Sequence, residues 1–231
     1  MMRTVGILGG MGPEATVLLM QKVIAAVPAR DDADHIPLIV DQNSQVPSRI
    51  ARLIEGTGPD PAPVLVAMAR RLEAAGAQAL AMPCNTAHHY ADDVRTAVAI
   101  PFLDMVAASA RLAREVAGEG ASVGLLASPA VAKVGLFDRA LAAQGLQVVH
   151  PEDGAALLVA IRSIKARGPD AASRAVLRAA SAALLAKGAS LQLIACTEFS
   201  LIAEALAPDV RGIDTLDVLV AEIVGFSRTS A

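Results

Sequence analysis

The chain has 231 residues, 54% apolar, 19% charged and 2% aromatic, with a formal charge of −3. That length supports one large core or two smaller ones. Lys+Arg (20) nearly balance Asp+Glu (23), and one Tyr, four Phe and no Trp leave neither the basic footprint nor the stacking platforms of a nucleic-acid binder.

The mean hydropathy of +0.50 comes with richness in alanine. The longest uncharged stretch, Ala74 to Ala91, is interrupted by Pro83, Asn85, His88 and His89, which excludes a membrane span there. The opening MMRTVGILGGMG runs straight into a strand-like apolar segment ending in glycines, without a long h-region or a small-residue cleavage site. It predicts a cytoplasmic chain. Two cysteines in so long a chain make no disulfide framework, and both are expected as free thiols.

In chain order, the pattern predicts a strand at Thr4 to Leu8 and a helix from about Pro13. A strand at Ile36 to Val40, a helix over Pro63 to Ala75, and strands at Gln78 to Met82 and Ile100 to Leu103 follow. The same rhythm resumes with strands at Ser122 to Leu126, Gln147 to Val149, Leu191 to Ala195 and Val210 to Ile213. Short apolar runs alternating with Ala/Leu-rich helical stretches imply βαβ units and parallel sheets.

The second half also repeats the first. Val5-Gly6-Ile7-Leu8 matches Val123-Gly124-Leu125-Leu126, 118 residues on; the Gly76-Ala77 segment leading to Cys84 matches the Gly188-Ala189 segment leading to Cys196, 112 on; and Asp104 matches Asp214, 110 on. The prediction is an α/β chain of two pseudo-symmetric parallel-sheet domains facing each other across a cleft. Residues 1–105 form the half with Cys84, 106–215 the half with Cys196, and a C-terminal helix over 216–231 packs back on the first.

Loops after the carboxyl ends of parallel strands form ligand crevices, so the two thiols are expected on opposite walls of that cleft. Asn85-Thr86 and Thr197 read as caps of following helices, whose N-termini are expected to favour a thiolate. A thiolate and a thiol on opposite sides of a carbon suit inversion of a stereocentre by proton removal and return.

Gly6-Ile7-Leu8-Gly9-Gly10-Met11-Gly12-Pro13, Pro83-Cys84-Asn85-Thr86-Ala87-His88 and Ala195-Cys196-Thr197-Glu198 closely resemble the three signatures of the cofactor-independent aspartate/glutamate racemases, the aspartate racemase branch in particular. The resemblance runs in order over essentially the whole chain. It implies a homodimer, catalytic Cys84 and Cys196, a small dicarboxylic amino-acid substrate, and use of neither pyridoxal phosphate nor metal. Arg49 resembles the family's carboxylate-binding arginine and Lys165 its lysine counterpart, and the two stand 116 residues apart, one cation per half. Asn85, Thr86 and Thr197 resemble contacts to the substrate's α-carboxylate and ammonium, and Met11 lies in the loop that approaches the site. Glu198 has two readings, a partner for the ammonium or an acid complementing a helix start. The chain departs from the family at Ala195, commonly glycine, and at Ser128, a strand-end residue that is often threonine and is counted here with the substrate-binding set.

Other readings compete. Maleate isomerases, hydantoin racemases and arylmalonate decarboxylases resemble the same cysteine pair, and a binding protein or sensor could keep the cleft without turnover. Gly10-Met11-Gly12-Pro13-Glu14-Ala15 satisfies a dinucleotide fingerprint, with Asp41 as a late ribose acid. Cys84 with His88 and His89 supplies no compact four-ligand metal set, and no residue pattern identifies a Schiff-base lysine.

Overall fold

The computed structural model describes residues 2–229; Met1 and the last two residues of the expected 216–231 helix, Ser230 and Ala231, lie outside them. The described residues divide into two compact units, one of residues 2–105 and 216–229, the other of Val106–Thr215.

Unit 1 runs β1 (Val5–Gly9), α1 (Pro13–Ala25), β2 (Leu38–Gln42), α2 (Ala62–Ala74), β3 (Ala79–Ala81), α3 (Ala91–Ala97) and β4 (Phe102–Leu103). Helix α4 (Met105–Ala117) leads into unit 2: β5 (Ser122–Ala127), α5 (Pro129–Lys133), α6 (Leu136–Ala142), β6 (Gln147–Val149), α7 (Gly154–Arg167), α8 (Ala171–Ala186), β7 (Leu191–Ala195) and β8 (Arg211–Asp214). Helix α9 (Thr215–Arg228) returns to unit 1.

Each unit holds a four-stranded parallel sheet, in the orders β2-β1-β3-β4 and β6-β5-β7-β8. All residues of β1, β3 and β7 are buried, as expected of parallel strands covered on both faces.

Strand register carries the repeat. Val5 pairs with Ala79 and Leu80 with Phe102 in unit 1; Val123 pairs with Leu191 and Gln192 with Gly212 in unit 2. These partners differ by the 118, 112 and 110 residues of the sequence repeat. Even the glycines correspond. A Cβ on Gly6 would meet Leu80 Cδ2 at 3.0 Å and Leu72 Cβ at 3.1 Å, and one on Gly124 would meet Gln192 Cγ at 2.9 Å and Leu184 Cδ1 at 3.1 Å. In each unit the glycine lets one helix, α2 or α8, lie close on the sheet.

Apolar burial drives both units. Helix α9 inserts Leu216, Leu219, Val220 and Ile223 among Val5, Ile7, Leu19 and Val23, and each such side chain contributes about 1.5–3 kcal/mol on burial. Arg3 fastens its end, its guanidinium 3.6 Å from the Phe226 ring centroid while Ser227 Oγ donates to the Arg3 carbonyl at 2.7 Å.

Several strand boundaries move by one or two residues from the sequence reading, among them the start of β4 at Phe102 rather than Ile100. Strand β2 begins at Leu38 rather than Ile36, because Pro37 has no N–H for the ladder; its carbonyl instead accepts from Val5 N–H at 3.1 Å. Strand β3 is trimmed to Ala79–Ala81, with Met82 and Pro83 starting the loop that bears Cys84. No helix among the described residues is long and apolar enough to cross a membrane.

Candidate active site

The candidate residues of unit 1 gather beyond the carboxyl ends of β1, β2 and β3. Gly10 has φ +90°, and a Cβ there would lie 2.4 Å from the backbone C and O of Asn43, so only glycine lets the β1 loop lie against the β2 loop. Its N–H donates to Thr16 Oγ1 at 3.0 Å. The Met11 side chain is buried with Val46, Cys84, Ala87 and Tyr90, leaving its carbonyl as its polar face.

Arg49 takes that carbonyl. Its Nη2 donates to Met11 O at 3.2 Å and its Nη1 to Val46 O at 3.3 Å and Pro47 O at 3.0 Å. Nε is buried without a hydrogen bond, and among the described residues no carboxylate pairs with the guanidinium. A π-helical turn, Ala51–Glu55, follows at once and closes at Gly56, φ +70°. Such turns often sit at functional sites.

Cys84 is a free thiol, 6% exposed. Its N–H donates to Met82 O at 2.8 Å, and its carbonyl accepts from His88 Nδ1 at 2.9 Å, which assigns the proton to that nitrogen. Asn85 is buried and Thr86 half-buried beside it. His88 lies against the Phe102 ring, 5.4 Å between centroids, with Nε2 buried and making no hydrogen bond. Burial holds its pKa below the ordinary histidine value and keeps it neutral. Of the two histidines that follow Cys84, the chain buries His88 and exposes His89. The signal for His88 was its position four residues after Cys84.

In unit 2, Cys196 follows β7 as a free thiol, also 6% exposed. Ser128, Thr197 and Glu198 are buried. Ser128 directly follows β5, whose last residue Ala127 pairs with Ala195. Its carbonyl accepts from Val131 N–H at 2.9 Å at the start of α5.

Helix α7 begins where Asp153 accepts from Ala156 N–H at 2.8 Å, and it buries Leu157, Ala160, Ile161 and Ile164 on one face. Lys165, at the edge of that face, pairs through Nζ with Glu198 Oε1. Glu198 Oε2 accepts the Cys196 thiol hydrogen at 2.9 Å. Glu198 thus binds a thiol and an ammonium of its own chain.

Two expectations change. The segments after the cysteines are not capped α-helices but short 3₁₀ turns, Thr86–Tyr90 and Phe199–Ala205, and neither Asn85 nor Glu198 makes a side-chain capping bond. The peptide N–H groups there close local turns, such as Phe199 N–H on Cys196 O at 2.8 Å. Nor is the Cys196 thiolate favoured: burial first, then the Glu198 carboxylate, pushes that thiol well above its ordinary range, with Lys165 opposing. Asp41, the acid of the dinucleotide reading, is held by Arg71 through Nη2 at 2.7 Å and Nε at 3.1 Å. Among the described residues no group of three or more His, Cys, Asp or Glu could hold a metal ion.

A Picrophilus torridus aspartate racemase superposes with a TM-score of 0.86 at 24% identity, over 97% of this chain and 94% of that one. An aspartate racemase homologue from Pyrococcus horikoshii OT3 gives 0.77 at 23% identity over 99% and 100%. A glutamate racemase from Francisella tularensis subsp. tularensis SCHU S4, solved with D-glutamate, gives 0.68 at 20% identity over 96% and 80%. At these identities the likeness establishes the fold. A broad-specificity amino-acid racemase of Bacillus subtilis (strain 168) is 27% identical over 152 residues, 64% of either chain and so under two thirds of that protein's length. Residues 8–223 match the family described as Asp/Glu/Hydantoin racemase, and with that span the chain belongs to this family of isomerases.

Proposed function

We propose that the chain racemises aspartate, with glutamate as a second substrate, without a cofactor, using Cys84 and Cys196 as an exchanging base and acid. One cysteine as thiolate removes the α-proton; the other as thiol returns a proton to the opposite face of the carbon. The observation that carries this reading is the equivalence of the two thiols: each follows the strand that pairs with the first strand of its unit, at matching register. A buried cysteine is often only a small hydrophobe, but that does not account for both lying beside polar residues at the carboxyl end of a parallel sheet.

Arg49 supports an acidic substrate. Three carbonyls orient its guanidinium, and no protein carboxylate neutralises it among the described residues. A substrate carboxylate would complete it and, as negative charge develops on deprotonation, stabilise it. Lys165 with Glu198 suits the other end of an amino acid, the cation facing a carboxylate and the anion an ammonium. Asn85, Thr86, Ser128 and Thr197 supply further polar contacts in this proposal, and Met11 the carbonyl that fixes Arg49. A cytoplasmic homodimer is part of the same proposal.

One observation favours a wider range. Lys165 is already paired with Glu198, which leaves Arg49 as the stronger anchor and would admit amino acids with one carboxylate. The test is racemisation of L- and D-aspartate, glutamate, asparagine and alanine by chelator-dialysed protein, followed by chiral chromatography. Aspartate turnover well above asparagine and alanine is expected, and equal rates would replace the acidic substrate with a broad one. No turnover on any of them would leave a binding protein.

A further inference from the structure

The two units hold their cysteines at equivalent positions but surround them with different charge. Two residues beyond Cys84 stands Thr86, which is neutral; two beyond Cys196 stands Glu198, 7% exposed, with one carboxylate oxygen 2.9 Å from the thiol sulfur and the other on Lys165 Nζ. A carboxylate so placed disfavours a thiolate twice over, by repelling its charge and by losing the S–H donor it accepts. Lys165, from α7, opposes this with a charge that Glu198 already shares.

We infer that Glu198 is a positioning residue that holds Cys196 as the thiol in the substrate-free protein, so that Cys196 enters the reaction as the proton donor. Burial of the sulfur acts in the same direction. When Cys196 serves instead as the base, its S–H bond breaks and the proton passes to Glu198 Oε2. That gives a thiolate beside a neutral carboxylic acid and leaves the charge of the site unchanged. The position two residues after Cys84 carries no carboxylate, so the pseudo-symmetry of the fold does not extend to this contact.

The inference rests on the proposed racemase reading for its catalytic meaning, but its test reads a thiol titration and needs no turnover. In Cys84→Ser protein, Cys196 is the sole thiol. Its ultraviolet thiolate absorbance is followed against pH, with Cys84→Ser/Cys196→Ser protein as the blank. The midpoint is expected above that of a free thiol. Adding Glu198→Gln should lower it by about one pKa unit or more, roughly tenfold more thiolate at a given pH below both midpoints. Glu198→Asp should fall between, and Lys165→Gln should move the midpoint the opposite way. A Glu198→Gln midpoint that stays or rises overturns the inference; should that variant not fold, a Lys165→Gln midpoint that stays or falls does so.

Discussion

Arg49 Nη2 donates to the carbonyl of Met11 at 3.2 Å, tying the loop after β2 to the loop after β1. With the bonds to Val46 and Pro47, one guanidinium organises two of the loops at the carboxyl end of the unit 1 sheet. A lysine has the charge but not the fork.

Arg49→Ala should leave a substrate carboxylate without its partner, a cost of about 2–5 kcal/mol by analogy with broken charge pairs. Loss in kcat/KM on aspartate is then on the order of 30-fold or more. Arg49→Lys should lie between the two, with a lowered melting temperature because the three carbonyl bonds are lost. Lys165→Ala should fall at the lower end of that range, since its side chain is 35% exposed and solvent screens it. Unchanged kcat/KM for Arg49→Ala would remove it from the site.

Cys84→Ser and Cys196→Ser should each abolish racemisation while keeping the circular dichroism of the parent chain, because a serine hydroxyl is far too weak an acid to exchange roles with a thiolate. Either single variant can still exchange the α-proton of one enantiomer. Near-parental racemisation by one of them would exclude that cysteine as an acid or base.

Gly10 and Gly56 both have positive φ, but only Gly10 is crowded. A Cβ at Gly10 meets the Asn43 backbone at 2.4 Å, whereas one at Gly56 meets nothing within 4 Å. Gly56→Ala should cost about 1 kcal/mol from its left-handed backbone alone. Gly10→Ala adds displacement of a backbone segment, about 1–3 kcal/mol more. Urea midpoints of the two variants check the difference, and equal midpoints would contradict the crowding.

The repeat offsets that locate Cys84 and Cys196 in the sequence are also the offsets of strand register, because a parallel sheet buried on both faces leaves continuous apolar runs that mark each strand. What followed the cysteines was less legible. Asn85-Thr86 and Thr197 look like α-helix caps locally, but 3₁₀ turns follow there, with Ala87, Tyr90 and Phe199 buried in the cores and a kink at Ile202. The Lys165–Glu198–Cys196 chain was hidden for another reason. Lys165 and Glu198 lie 33 residues apart on different elements, and no local pattern marks a carboxylate that serves a thiol instead of a helix start.

His88 predicts a pH effect on stability. Its folded pKa is lowered by burial, so the unfolded chain binds a proton that the native one refuses. Stability should therefore fall as pH drops below about 6.5, and continue to fall until the native pKa is reached. Replacing His88 by Asn should flatten that part of the curve in denaturation series across pH. A curve as steep as the parent's would mean that His88 takes up its proton as readily in the native chain as in the unfolded one.

The most direct test of the two-cysteine reaction is deuterium incorporation at Cα during early turnover of L-aspartate in D₂O, with no added cofactor. Two cysteines exchanging roles should deliver D-aspartate carrying deuterium while the remaining L-aspartate stays almost unlabelled, and the mirror result should hold from D-aspartate. Label appearing equally in product and recovered substrate would point to a single base, and absence of label from both would contradict proton transfer at Cα altogether.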